Sequence, residues 1–331
     1  MSSSAPDEEY GASQPSLYFF LLKALIGALS LVVLAAAWVL RPRECFGICY
    51  VDPVHHALRC PSYDPAVLFY HRTAHSDDDN AVHALLRGQE SKGFNHVSVD
   101  PFPAVAAALL PVDEDVAITY HNALCGALGK GTPLMMRTKS NRTFFEGFTF
   151  AIDFEACLGQ GSAAVSTLGL VRRPRDLLAH VYAQQRNASL PFAECVRNST
   201  CIKTHDLDRW CAVQTRSFCG FAEECSTAQG LERAKRNVDS AVLVGLAEDP
   251  VAFASLARRI LPTYFEFVSV WPAAASALSL PRASQVAIDE LCAVDNALYL
   301  HAAQQFADRA HRCGVHVKWD GKDARRWWWP F

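Results

Sequence analysis

Two hydrophobic rhythms divide the 331-residue chain. The first is an unbroken apolar run, LYFFLLKALIGALSLVVLAAAWVL, from Leu17 to Leu40, with Lys23 as its single charge. At about 1.5 Å per residue it reaches roughly 36 Å as a helix, enough to cross a hydrocarbon core of about 30 Å with some tilt. The second rhythm begins at Asp64, where short apolar runs alternate with amphipathic ones. The runs AVLFY, FNHVSV, VAITY, FTFAI, VSTLGLV and AVLVGL predict strands. Helical spacing lies between several of them, at Asn80 to Leu86, Pro174 to Arg186 and Ala228 to Val238. That alternation predicts an α/β domain with a mainly parallel sheet.

A helical pattern follows the last predicted strand. DPVAFASLARRILPTYF opens on a good cap, Asp249, and breaks near Pro262. SQVAIDELCAVDNALYLHAAQQFADRAHRC places Val286, Leu291, Val294, Leu298, Ala302 and Phe306 close to one face. The layout is a tail at 1–16, a membrane anchor at 17–40, a stem at 41–63, an α/β domain at 64–313 and a Trp-rich end at 314–331. No internal repeat is evident.

Composition narrows the function classes. Half the residues are apolar, enough for a proper core, and the formal net charge is -3. There is no basic stripe, so nucleic acid is not an expected partner. The residues before the apolar run, PDEEY, are acidic where a cleavable signal would be basic, so the expectation is an uncleaved anchor. Arg41 and Arg43 just after the run favour a cytosolic main domain. Opposing them, all 12 cysteines lie beyond the run, as do the sequons at Asn141, Asn187 and Asn198. Closely spaced cysteines with three glycosylation sequons favour an oxidising lumen, and the expectation is a type II membrane protein. Cys45 and Cys49, in CFGIC, read as a local disulfide rather than a metal site, because no matching ligand pair follows. The histidines at 55, 56, 71, 83, 96, 121 and 205 are scattered without ligand spacing and read as surface or core residues.

The segment FYHRTAHSDDDNAVHALL holds the chemical question. A predicted strand runs through a polar loop into helical spacing, a junction at which a helix N-terminus can hold an anion. Yet Asp77, Asp78 and Asp79 stand in that loop. Taken alone they allow an anion site, a helix cap, or a D-x-D motif in which Asp77 and Asp79 bind Mn²⁺ and a nucleotide sugar for glycosyl transfer.

A stretch 140 residues further on narrows the choice. Ser217 to Phe265, SFCGFAEECSTAQGLERAKRNVDSAVLVGLAEDPVAFASLARRILPTYF, resembles the glycan 2-O-sulfotransferases, which include the heparan sulfate and uronyl enzymes. The resemblance rests on F-C-G with a second cysteine, an A-K-x-N helix, a V-G strand, an acidic turn and an L-P-x-Y-F ending. With gaps it extends from Ala66 to Phe306. FFEGFTFAIDF is similar to the family's catalytic strand, VRRPRDLLAHVY to its 3′-phosphate segment and DNALYLHAAQQF to its last helix. The resemblance implies a P-loop-like sulfotransferase fold in the Golgi lumen. The implied reaction moves a sulfo group from 3′-phosphoadenylyl sulfate (PAPS) to the 2-hydroxyl of a uronic acid in a glycosaminoglycan-like acceptor. No metal is expected.

The same resemblance implies site residues. The family's cradle, R-x-P-K-T-x-S-T-S, falls on Arg72 to Asn80, so Arg72, His75 and Ser76 take the phosphate-binding positions. His75 stands at the lysine position, and Arg172 at the arginine of the 3′-phosphate segment, whose serine is Ala179 here. The family's H-G-H is Glu146-Gly147-Phe148, leaving His75 and Glu146 as the catalytic candidates. Asp78 and Asp79 fall on hydroxyl positions, with Asp77 on the variable position before them, and an ionised aspartate about 4 Å from a phosphate charge repels it by roughly 4 kcal/mol at an effective dielectric near 20. Two readings therefore stand side by side: a divergent enzyme, active or weakly so, and a non-catalytic protein that binds a glycan or a partner. The cysteine matches imply disulfides Cys195–Cys201 and Cys219–Cys225, with Cys211 either free or joined to a stem cysteine.

Overall fold

A computed structural model describes residues 60–65, 67–73, 95–98, 122, 125–126, 143–148, 165–185, 190–220, 225, 228–265 and 279–317. All belong to one compact unit, Leu58–Phe331. The apolar run at 17–40 lies outside the described residues, as do Asn80–Leu86 and VAITY. Among the described residues, no helix is long and apolar enough to cross a membrane.

Among the described residues five strands form one sheet: β1 (Val67–Arg72), β2 (Asn95–Ser98), β3 (Thr143–Phe148), β4 (Val165–Val171) and β5 (Leu243–Leu246). Their order is β2-β3-β1-β4-β5, and every pairing is parallel. The protein is thus an α/β fold with a parallel sheet and C-terminal helices. Burial explains why β1 is continuous in apolar character rather than alternating. Its residues Val67 to His71 are all buried, as expected of a central strand covered on both faces. β3 begins upstream of the expected FTFAI, of which only Phe148 is among the described residues.

Helix α1 (Pro174–Ala183) follows β4 with proline at its first position, where the missing N–H costs nothing. Short helices α2 (Phe192–Cys195) and α3 (Ser199–Thr204) and a 3-10 turn (Leu207–Ala212) lead into α4 (Val213–Cys219). Helix α5 (Ala228–Ser240) precedes β5, and α6 (Pro250–Ile260) follows it. As expected, Asp249 caps α6, accepting the Ala252 N–H at 3.3 Å, and the helix ends at Ile260, with Leu261 as its C-cap, before α7 (Pro262–Phe265). The α6 face presses so closely on β5 that a Cβ on Gly245 would meet Phe253 Cδ2 at 2.1 Å.

The C-terminal pattern forms two helices. α8 (Arg282–Leu291) and α9 (Ala293–Arg312) are separated at Cys292, whose φ and ψ of -106° and 33° leave the helical region. The break resets the phase. Leu298, Ala302 and Phe306 are fully buried on α9, whereas Val286 is 46% exposed and α8 buries Ser284 and Ile288 instead.

Four disulfides join described residues. Cys195–Cys201 and Cys219–Cys225 close small loops. Cys211 is neither free nor joined to the stem: it bonds Cys292 at the break between α8 and α9. Cys60 bonds Cys313, so the end of the expected stem is stitched to the end of α9. Tyr63 N–H donating to Ile260 O at 2.7 Å and Thr263 Oγ1 to Asp64 at 2.8 Å extend that attachment.

Candidate functional site

Ligands of open parallel sheets bind beyond the C-terminal strand ends, where neighbouring connections leave toward opposite edges. Here that point lies between β1 and β3. The chain leaves β1 for the β2 edge and leaves β3 for β4 on the other side. Arg72 closes β1, in register with Phe148 at the end of β3, and Glu146 pairs with Tyr70. Arg172 is the residue immediately after β4, the other neighbour of β1. The sheet therefore places Arg72 at the C-terminal end of β1 and Arg172 just beyond that of β4, with Glu146 on β3 level with Tyr70 and Leu168, two residues before Arg72 and four before Arg172. His75, Ser76, Asp77, Asp78, Asp79, Asn141 and Asn187 lie outside the described residues.

The strand ends are held by α4, a buried helix whose polar side chains reach three different elements. Ser217 Oγ and His71 Nε2, on β1, share a hydrogen bond of 2.7 Å. Gln214 grips the backbone of Arg172 from both sides: Arg172 N–H donates to Gln214 Oε1 at 2.7 Å, and Gln214 Nε2 donates to Arg172 O at 2.7 Å. Thr215 turns to α9, donating its N–H at 2.8 Å and its hydroxyl at 2.6 Å to Asp295 Oδ1. Asp295 Oδ2 also accepts the Gln214 N–H, at 3.2 Å. The logic is that of helix capping. The residue before α4 is Ala212, which has no side chain to receive the first free N–H groups, and a carboxylate from α9 does so in its place. Thr73, just beyond β1, adds a further tie by donating to Leu170 O on β4 at 3.0 Å.

The second arginine of the RRP turn has a different setting. Arg173 N–H donates to Glu248, just beyond β5, and its guanidinium lies over the Tyr299 ring, 5.7 Å from the centroid. Burial works against the Arg173 charge, but Tyr299, Glu248 and Asp176 outweigh it and raise the pKa. Burial likewise pushes the Glu248 carboxyl and the Tyr299 phenol upward. The turn is thus fastened on both flanks, Arg172 from α4 and Arg173 from β5 and α9.

Electrostatics removes one candidate cation from the β1 end. Burial lowers His71 to about 3, so its imidazole is neutral at physiological pH and serves as a packing and hydrogen-bonding group against Ser217 and Phe218. Burial pushes Asp295 the other way, to about 7, against the pull of the Thr215 and Gln214 donors and the Arg216 charge. A cavity of about 210 Å³ runs beneath α4 and α5 along the sheet, from His71 back to Val165, lined also by Phe69, Phe218 and Asn237. Among the described residues no group of histidines, cysteines and acids is arranged to hold a metal.

No family model matches the chain, and no curated protein is significantly similar to it.

Sequence reasoning singled out Arg172 but not the residues that hold it. Gln214 and Thr215 lie in none of the matched segments, Asp295 opens the matched DNALYLHAAQQF without an assigned role, and they meet across about 80 residues of sequence. Asn198, the one described sequon asparagine, is exposed and caps α3, its Oδ1 accepting N–H groups from Thr200 at 2.9 Å and Cys201 at 3.1 Å.

Proposed function

We propose that the protein is a Golgi type II membrane sulfotransferase-like protein whose lumenal domain binds PAPS beyond the C-terminal ends of β1, β3 and β4. The observation that carries this reading is that Arg72 ends β1, Arg172 follows the end of β4 and Glu146 lies near the end of β3, three neighbouring parallel strands at the switch point, the three residues drawn from three separate segments of family resemblance. The donor set suits an anionic nucleotide. Arg72 ends the central strand, and Arg172 leads into the N-terminus of α1, where the helix dipole favours negative charge. PAPS supplies the sulfo group when bound. On the protein's side, Arg72 and Ser76 hold phosphate, and Arg172 receives the 3′-phosphate. His75 is the remaining cation at the lysine position, charged only when protonated. Glu146, at the family's base position, would take the proton of a uronic acid hydroxyl.

A second reading is supported by the substitutions themselves. Histidine for lysine at 75, aspartates at 77 to 79 and Phe148 in place of the second histidine suit a non-catalytic protein that keeps the fold and binds a glycan or a partner. The glycosyltransferase alternative rests on Asp77 and Asp79 alone.

Calorimetry on the purified full chain tests these. PAP or PAPS is expected to bind, His75→Lys to tighten binding and Arg172→Ala to abolish it. No heat with either nucleotide at acid and neutral pH overturns the sulfotransferase reading. Binding without sulfo transfer to any glycosaminoglycan favours the non-catalytic one. Stabilisation by a nucleotide sugar only when Mn²⁺ is present would establish the glycosyltransferase.

A further inference from the structure

We infer that Gln214 and Asp295 are positioning residues for Arg172, and that together they set how strongly the protein distinguishes a 3′-phosphorylated adenine nucleotide from one lacking that phosphate. The inference rests on the proposed nucleotide site and assigns the origin of its selectivity.

The argument starts from what fixes a side chain at a strand end. Arg172 stands one residue beyond β4, where the sheet's own hydrogen bonds stop, so its backbone needs another partner. Gln214 supplies both an acceptor and a donor, each at 2.7 Å, and these fix the peptide from which the Arg172 side chain departs. Gln214 is 1% exposed, so this amide works inside the protein, where a hydrogen bond is stronger and a misplaced partner costs more. It can hold that position only if its own backbone is fixed. Asp295, fully buried, does this by accepting the N–H groups of Gln214 and Thr215 together with the Thr215 hydroxyl. The series runs from the last long helix through the start of α4 to the β4 edge, with a hydrogen bond at each junction. A positioned group loses effectiveness steeply with small displacements, so loosening Gln214 should act on the phosphate that Arg172 meets and little on the rest of the nucleotide.

Adenosine 3′,5′-bisphosphate (PAP) and 5′-AMP, titrated into the full chain, separate this role from a structural one. The wild type is expected to prefer PAP. Gln214→Ala should lower PAP affinity at least tenfold while leaving AMP affinity within about twofold. Gln214→Glu keeps the acceptor for the Arg172 N–H and loses the donor to its carbonyl, so it should lie between the two. Asp295→Asn, which replaces an acceptor facing either Gln214 or Thr215 by a donor, should lose the same preference in smaller measure. In an Arg172→Lys background the Gln214→Ala effect should largely disappear. Retention of the full PAP preference in Gln214→Ala and Asp295→Asn overturns the inference while the nucleotide site stands. Equal loss of both nucleotides also overturns it, since α4 then only supports the fold. A wild type that binds neither nucleotide removes the proposed site itself, and the inference with it.

Discussion

Asp295, on the last long helix, caps a helix 80 residues earlier in the chain, accepting the Thr215 N–H at 2.8 Å and the Thr215 hydroxyl at 2.6 Å from a position closed to solvent. The carboxylate does for α4 what Ala212 cannot, and it joins the C-terminal helices to the edge of the sheet. Asp295→Ala leaves two N–H groups and a hydroxyl buried without an acceptor, each costing about 1–3 kcal/mol. The expected loss of stability is therefore at least about 3 kcal/mol, and Asp295→Asn, which preserves most acceptors, should lose about 1–2 kcal/mol. Chemical denaturation measures both. A loss under about 1 kcal/mol for Asp295→Ala would show that water replaces the carboxylate.

The same carboxylate sets a pH dependence. Its folded pKa of about 7 lies above the ordinary 3.8, so across that interval the folded chain binds the extra proton. Stability from this group is complete below the unfolded value and is lost as pH rises toward 7, by at most about 4 kcal/mol. His71 has the opposite slope. Its folded value of about 3 lies below the ordinary 6.5, so its contribution is complete above pH 6.5 and declines in acid. The wild-type curve sums the two with the raised Glu248, so the informative quantity is a difference. Wild-type stability minus that of Asp295→Asn should decrease steadily between pH 4 and 7 and level off above. A difference independent of pH would mean that Asp295 keeps an ordinary pKa.

Gly245 has no room for a side chain. A Cβ there would meet Phe253 Cδ2 at 2.1 Å, Phe253 Cε2 at 2.9 Å and Leu170 Cδ2 at 3.0 Å. Phe253 is fully buried and cannot swing into solvent, so Gly245→Ala must move α6 or distort a rotamer, at about 1–3 kcal/mol. Adding Phe253→Leu should recover part of the loss. If the single variant melts with the wild type, the β5–α6 contact is looser than these distances.

Which features were legible in the sequence follows from what made each element form. The β4 run VSTLGLV was found to the residue, and Asp249 was found as a cap, because both signals are local. The common C-terminal face was mispredicted for the opposite reason. Its apolar spacing continues across Cys292, while the break there accompanies a partner, Cys211, 81 residues away. The candidate site divides in the same way. Arg72, Glu146 and Arg172 were reached by motif and lie toward the C-terminal ends of three neighbouring parallel strands. Gln214 was invisible and Asp295, though it opens the matched DNALYLHAAQQF, had no readable role, because a buried group that grips another residue's backbone has no sequence period and no fixed spacing. A positioning group is defined by what it touches, and touching is the property that a linear pattern leaves out.

The longest covalent closure in the described chain is Cys60–Cys313, with a sequence separation of 253. On the chain-entropy argument such a loop stabilises by about 5 kcal/mol, near the upper end for one disulfide. Replacing both cysteines by alanine should lower the unfolding free energy toward that figure, whereas replacing Cys195 and Cys201, separated by 6, should cost about half as much. Equal losses for the two pairs would show that local packing outweighs loop entropy here.

Asn198 tests the expected compartment and the local fold in one experiment. Its Oδ1 already accepts two N–H groups at the start of α3, and glycosylation uses the Nδ2 atom, so a glycan and the cap can coexist on one exposed side chain. For a domain made in the secretory pathway, glycosidase treatment of the full chain should release a glycan mapped to Asn198. Thr200→Ala destroys the sequon but keeps the backbone N–H that Asn198 receives, so it should lose the glycan with little change in melting temperature. Asn198→Ala loses both, and should fall below Thr200→Ala by about 1 kcal/mol, the usual worth of an N-cap. Asn198→Asp separates the terms from the other side, keeping the cap oxygen without the sequon, and should melt with Thr200→Ala. A chain that carries no glycan at this exposed asparagine when made in secretory cells would oppose the lumenal placement. Equal melting of all three variants would instead show that the cap contributes nothing beyond what Cys195–Cys201 already holds in place.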